Sequence, residues 1–342
     1  MQDIVGLTYE ELIKVLERWS QPRFHAQQIF SWIYKKGIID FDKMSDLSES
    51  LRRRLKENFS ICDLELAEMQ ESRDRAQKFL FKLKDASFIE AVNIPMPTRM
   101  TGCISSQVGC KFACRFCASG LLGFKRNLDS SEIINEALYL RNNSFDKLLT
   151  HIVFMGTGEP LDNYDQVLKA IRIINSDYGL NIGARRITIS TCGIIPGIQR
   201  LASEGMQIEL SVSLHSADDK IRTQLMPINK TYPLKDLISA CRQYWEKTNR
   251  QLTFEYVMAK GINSALPDAI KLCKILKGLD CKVNLIPANP VKKNNYGPPN
   301  KMDILLFRDR LLKSKVNVTL RQPRGQDIDA ACGQLRLRYE KK

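Results

Sequence analysis

Residues 130–160 read SSEIINEALYLRNNSFDKLLTHIVFMGTGEP: an amphipathic stretch, a linker, a β-branched run and a glycine-rich turn. The apolar residues of the first part recur at helical spacing, and HIVFM has the length and composition of a buried strand. The alternation continues with strand-like RRITIS (185–190), IELSVSL (208–214), LTFEYVM (252–258), KVNLIP (282–287) and VNVTL (316–320), separated by helical stretches such as LKDLISACRQYW (234–245). Strand and helix alternating in this way build βαβ units around a parallel sheet, open or rolled into a barrel. Function then belongs at the C-terminal strand ends, where the βα loops gather. Those ends carry Gly156-Thr157-Gly158-Glu159-Pro160, Thr191-Cys192-Gly193, Ser213-Leu214-His215 and Asn289-Pro290.

Upstream the rhythm differs. Leu12, Val15, Leu16 and Trp19, then Ala26, Ile29, Phe30 and Ile33, then Met44, Leu47, Leu51 and Leu55 follow helical spacing, with Pro22, Gly37 and Asp40 between the runs. QKFLFKL and SFIEAVNI flank Lys84-Asp85 as a hairpin would. The expected organisation is a helical accessory domain over 1–60, a β-hairpin connector over 61–96 and an α/β core over 97–342.

The start, MQDIVGLTYEEL, lacks the basic patch and apolar core of a signal peptide, and no apolar run has bilayer length, so a cytoplasmic protein with no membrane partner is expected. In a reducing compartment the chain's 10 cysteines point to metal or catalysis before structural disulfides. The net charge of +14 suits a polyanionic partner, because Lys and Arg beside phosphates release counterions, although many basic proteins bind nothing acidic.

Gly109-Cys110-Lys111-Phe112-Ala113-Cys114-Arg115-Phe116-Cys117 sets three thiols in a C-x3-C-x2-C spacing. Three close thiolates suit a 4Fe–4S cluster and leave one iron open to chelate the amino and carboxylate groups of S-adenosylmethionine. The competing reading is zinc, which usually takes two pairs of ligands; no second pair follows, and the chain has only 3 histidines.

This loop, with Phe116 just before its last cysteine, resembles the signature of the radical S-adenosylmethionine superfamily, whose fold is a partial (β/α)6 barrel. Gly158-Glu159 then looks like the element that binds the methionyl amino group. A narrower resemblance rests on CISSQVGC (103–110), GARRITISTCGI, SLH, LMPIN, KVNLIPANP and DIDAACGQL. In order and spacing these are similar to the RlmN-like dual-specificity adenine C2-methyltransferases of 23S rRNA and tRNA, over nearly the whole chain. Thr157 stands where that family usually has Met, and Ser119 where it has Thr.

The resemblance implies the chemistry. Adenine C2 is electron-poor and cannot displace a sulfonium methyl. Cys332 is therefore expected to be methylated by one S-adenosylmethionine. A second, cleaved at the cluster held by Cys110, Cys114 and Cys117, would give the radical that takes a hydrogen from the Cys332 methyl. The carbon radical then adds to adenine C2, at adenosine 2503 of 23S rRNA in the peptidyl transferase centre or adenosine 37 of tRNA. Release needs Glu90 as proton acceptor and Cys103 as resolving thiol, in a transient disulfide with Cys332. Gly158, Glu159, Ser190, Ser213, Leu214, His215 and Asn289 carry over as S-adenosylmethionine contacts. The implied partners are 23S rRNA, tRNA and an electron donor such as a flavodoxin or ferredoxin, with the enzyme a monomer.

Outside the resemblance several of these residues read blandly. Cys103 is a strand cysteine, Cys332 a small residue among alanines, Glu90 the polar face of a strand and His215 a packed histidine. Cys62, Cys241, Cys273 and Cys281 read as structural, and Cys192 stays ambiguous. Arg321, Arg324, Arg336, Arg338, Lys341 and Lys342, with the basic N-terminal helices, could grip phosphates of a loop whose target base is flipped out. Two rivals stand: the sister enzyme that methylates adenine C8 and confers antibiotic resistance, and a non-catalytic RNA-binding factor with a zinc knuckle.

Overall fold

The computed structural model describes residues 1–61, 64–121, 123–144, 148–288, 296–321, 324–325, 327–329 and 333–339. A 10-stranded sheet organises the molecule. In chain order its strands are β1 (Glu65–Glu71), β2 (Gln77–Lys82), β3 (Phe88–Met96), β4 (Arg99–Cys103), β5 (His151–Phe154), β6 (Ile187–Thr191), β7 (Glu209–Ser213), β8 (Leu252–Met258), β9 (Cys281–Pro287) and β10 (Asn317–Leu320). They lie side by side in that same order.

β4 to β10 are parallel, each laid beside the last. This is an open (β/α) barrel in which β10 continues the expected six-strand run by one more strand. β8 and β9 are buried on both faces, at Phe254, Tyr256, Val283 and Leu285 on one and at Glu255 and Asn284 on the other, as strands covered by crossover helices must be. β1 to β4 are antiparallel. The hairpin read between 77 and 94 is thus part of a three-stranded extension of the barrel sheet, continuous with it through the β3–β4 pair. Its side chains alternate faces, so register alone aligns distant residues.

The crossover helices include α4 (Ser130–Asn142), α5 (Tyr164–Asn175), α6 (Ile195–Leu201), α7 (Asp219–Leu225), α8 (Leu234–Thr248), α9 (Leu266–Leu276) and α10 (Lys301–Lys313), with α11 (Gln334–Tyr339) near the C-terminus. Calling the N-terminal helices αA (Tyr9–Arg18), αB (Phe24–Phe30) and αC (Glu49–Asn58), each of their expected apolar residues except Trp19 is buried, and Trp19 packs against the same core. αA starts on a capping box of Thr8 and Glu11, which satisfies two otherwise orphaned amides. These helices share one hydrophobic core with the barrel. Ser130 Oγ donates to Gly6 O at 3.0 Å, and Tyr9 stacks on Tyr178 at 4.3 Å. Among the described residues no helix is long and apolar enough to cross a membrane.

Candidate active site

The three-cysteine loop follows β4 and lies between the two strands of a short antiparallel pair, Gln107–Gly109 with Phe124–Asn127. Two left-handed residues bend it, Gly109 at φ 81° and Ala113 at φ 50°. At Gly109 glycine is required, because a Cβ there would stand 1.8 Å from Gly123 O. The loop is pinned by Cys110 N–H to Gly123 O at 3.0 Å, Cys117 N–H to Cys114 O at 3.0 Å and Arg115 N–H to Leu225 O at 2.9 Å. Phe112, Cys114 and Phe116 pack on a small apolar cluster of Cys192, Leu225, Met226 and Ile228.

Burial pushes the Cys110 thiol up to about 12, and negative charge on Cys117 and Glu159 pushes the same way against an amide of Phe112. Cys114 is raised by burial too, then by charge on Cys117 and Cys110. The three sulfurs therefore lie within electrostatic reach of one another, and their ionisation calls for cationic metal beside them. Among the described residues no three His, Cys, Asp or Glu side chains converge as closely as one ion needs. A cubane spreads its ligands over separate irons, and this donor set fits it.

Gly158 and Glu159 sit at the end of β5. A Cβ on Gly158 would meet Gln107 Cβ at 2.6 Å and Ser106 Oγ at 2.7 Å. Glu159 is buried; its Oε2 accepts from Cys192 N–H at 2.6 Å and its Oε1 from Leu161 N–H at 3.1 Å. Burial raises its pKa against the hydrogen bonds it accepts from Cys192, Thr191 and Leu161. Ser106 Oγ, Ser119 Oγ and Thr157 Oγ1 are buried with no hydrogen-bond partner among the described residues, orphaned hydroxyls that a polar cofactor would satisfy.

Ser190 and Ser213 are half-buried near the ends of β6 and β7, and Leu214 and His215 follow, buried. His215 adopts φ 55°, and its Nδ1 accepts the Val257 N–H at 3.0 Å. A backbone amide only donates, so the ring proton sits on Nε2. Burial, aided by the charge of Arg222, lowers the His215 pKa to about 3. The imidazole is neutral and meets Phe116 edge-on at 4.4 Å. Asn289 lies outside the described residues.

Glu90, on β3, is 3% exposed. Its Oε2 accepts from Lys78 Nζ at 2.8 Å and from Gly333 N–H at 2.6 Å, and its Oε1 from Arg336 N–H at 2.7 Å. Cys332 itself lies outside the described residues, but Gly333 follows it in sequence. A Cβ on Gly333, at φ 78°, would stand 2.5 Å from Ser119 N, two residues beyond Cys117. Cys103, buried at the end of β4, is opposite Val92, which is opposite Lys78. By the pleat, Lys78, Val92 and Cys103 form one cross-strand row, with Glu90 two residues along on the same face. Ser105 Oγ donates to Glu90 O at 2.7 Å.

β1 and the turn after it hold further described residues of the C-terminal segment by polar contacts. Asp327 accepts from Ser72 Oγ and, at 3.0 Å, from Arg73 N–H; Asp329 N–H donates to Gln70 Oε1 at 3.0 Å; Gly325 N–H donates to Asp74 Oδ2 at 3.1 Å. This changes the reading of the C-terminal arginines. Arg336 is buried, so its side chain is not presented for phosphate, whereas Arg338 pairs with Glu68 and Asp329 yet remains exposed. Arg321 and Arg324 are exposed, as are Lys35, Lys36, Arg53 and Arg54 of the N-terminal helices; Lys341 and Lys342 lie outside the described residues.

Two buried cations went unnoticed in the sequence. Arg222, 0% exposed, donates to Cys192 O, Leu214 O, Ser213 O and Asn229 Oδ1, so one guanidinium fork fastens two strand ends beneath the thiol loop. Lys78 sits in QKFLFKL, where strand alternation gives no sign that both faces are covered. Cys192 is buried with its amide on Glu159, which makes it part of the wall; Cys241 and Cys281 are buried in the core, and Cys62 lies outside the described residues.

An open barrel of parallel strands with a C-x3-C-x2-C thiol loop after its first strand defines a radical S-adenosylmethionine enzyme, and the model of the radical SAM superfamily matches residues 104–273. The model of the ribosomal RNA large subunit methyltransferase N-terminal domain matches residues 2–61. A probable dual-specificity RNA methyltransferase RlmN of Clostridium novyi is 44% identical over 340 residues, covering 99% of each chain. That of Staphylococcus carnosus is 46% identical over 339 residues, 98% of this chain and 93% of the relative. The crystal structure of a radical SAM methyltransferase from Sphaerobacter thermophilus superposes with a TM-score of 0.93 at 40% identity, covering 98% and 99% of the two chains. The chain belongs to the RlmN family of dual-specificity RNA methyltransferases. Its cofactors are accordingly a 4Fe–4S cluster and S-adenosylmethionine.

Proposed function

We propose that this enzyme methylates C2 of adenosine 2503 in 23S rRNA and of adenosine 37 in tRNA, with Cys332 as the methyl carrier. When bound, the cluster at Cys110, Cys114 and Cys117 supplies the electron that turns S-adenosylmethionine into a hydrogen-abstracting reagent. Gly158 and Glu159 hold the methionyl amino group, while Ser190, Ser213, Leu214, His215 and Asn289 hold the nucleoside. His215 enters this role as a neutral Nε2–H donor. Cys332 takes the first methyl group by displacement and remains joined to the base after carbon–carbon bond formation. Glu90 accepts the proton, and Cys103 attacks the Cys332 sulfur to release the product. The observation that carries this reading is the hydrogen bond from Gly333 to Glu90, in a chain whose Cys103 lies on the same sheet face.

The electron donor is a flavodoxin or ferredoxin, the enzyme acts as a monomer in the cytoplasm, and residues 1–60 serve as an accessory domain whose exposed basic residues meet RNA. The 61–96 segment and the 97–342 core then act as one catalytic unit. Mass spectrometry of digested rRNA and tRNA from cells with and without the gene tests the product. Loss of 2-methyladenosine on deletion is expected; loss of 8-methyladenosine with 2-methyladenosine untouched would overturn the assignment.

A further inference from the structure

A buried ion pair inside a sheet needs a reason, because apolar residues of similar volume usually serve stability as well or better. Lys78 and Glu90 are such a pair, 2.8 Å apart with side chains 0% and 3% exposed. They lie diagonally across β2 and β3, since Leu80 is opposite Glu90 and Lys78 is opposite Val92. The two carboxylate oxygens are not equivalent. Among the described residues Oε2 receives both the ammonium and the Gly333 amide, whereas Oε1 receives the Arg336 amide alone.

We propose that Lys78 is a positioning residue for the methyl transfer: its ammonium fixes Glu90 Oε2 against the Gly333 amide and thereby leaves Oε1 as the oxygen that takes the proton. The proposal rests on the reading of Glu90 as proton acceptor and Cys332 as methyl carrier. In the step concerned, a C–H bond of the enzyme-bound adduct breaks, its electron pair stays with the base and the proton bonds to Oε1. Lys78 keeps its own proton throughout, and no electron enters or leaves. Without Lys78 the carboxylate loses the charged tether that the ammonium provides and can turn about its last torsion, so the oxygen facing the adduct is no longer fixed.

The test compares Lys78→Met, Lys78→Arg and Glu90→Gln as cluster-loaded proteins with S-adenosylmethionine, dithionite and a transcribed RNA substrate. Four quantities are read: iron content, methyl-Cys332 by peptide mass spectrometry, protein–RNA crosslink on denaturing gels, and kcat and KM for RNA. Lys78→Met is expected to keep iron, methyl-Cys332 and KM while kcat falls about tenfold to hundredfold and the crosslink accumulates, with Lys78→Arg restoring most of kcat. Should Lys78→Met melt too low to assay, Lys78→Gln, which keeps a donor and removes the charge, is judged by the same outcomes. Wild-type kcat without crosslink overturns the proposal, as does equal loss of iron and methyl-Cys332, which marks a purely structural lysine. Glu90→Gln separates the two layers. If it stalls while Lys78→Met does not, only the positioning role falls; if it turns over normally, the reading of Glu90 falls.

Discussion

The two halves of the candidate site are built in opposite ways. The thiol loop is mainly local: its three cysteines lie between 110 and 117, and turn residues and short-range hydrogen bonds shape it, with the Arg115 N–H to Leu225 O bond as its long-range tie. The cradle of Glu90, Cys103 and Gly333 is distributed, and one of its hydrogen bonds joins residues 243 apart in sequence. A local site can be lost without disturbing the sheet, whereas a distributed one depends on the register of three antiparallel strands. Radical generation and methyl handling are therefore separable by mutation.

The largest expected effect tests that separation on the local side. Cys114→Ala should abolish bound iron and all methylation, yet leave far-UV circular dichroism and the melting profile of the apoprotein close to wild type; collapse of the fold would show that the loop is not autonomous. The counterpart is Cys332→Ala, which should abolish methylation while iron content is retained. Full activity of that variant would remove the methyl-carrier role.

How much of this was legible in the sequence follows the same division. The C-x3-C-x2-C spacing and the strand-end Gly158-Glu159 could be read directly, because each is a short-range pattern. The strand positions of β5 to β10 could be read for the same reason. That β1 to β3 merge with the barrel could not, since pairing is decided by partners far along the chain. Nor could the burial of Lys78 and Arg222: a lysine in a strand and an arginine in a short helix normally reach solvent, and only the packed neighbours reverse that. Arg336 is the clearest misreading, for its charge suggested phosphate while its position on α11 turns it inward.

A smaller effect concerns the strand-end wall that joins the two halves. His215 is neutral in the fold, with a pKa lowered to about 3 by burial, against 6.5 when unfolded. The unfolded chain therefore binds an extra proton between those values, and the stability from this group is present above pH 6.5 and declines as pH falls toward 3. Melting temperatures of the apoprotein should drop over this window, and His215→Gln should shallow that drop; an unchanged slope would refute it. Smallest is Thr8→Ala, remote from both halves, which removes the αA cap and should cost about 1 kcal/mol. Chemical denaturation measures it, and a larger loss would mean that the N-terminal helices support the barrel more than their cap suggests.

The central claim is that the methyl group reaches RNA through a hydrogen abstraction and not by direct displacement. S-adenosylmethionine carrying a fully deuterated methyl group, given to enzyme free of prior methylation, decides it by mass spectrometry of the nucleoside product. The account predicts 2-methyladenosine whose methyl carries two deuteriums and one hydrogen. A methyl group that arrives with all its deuterium would contradict it.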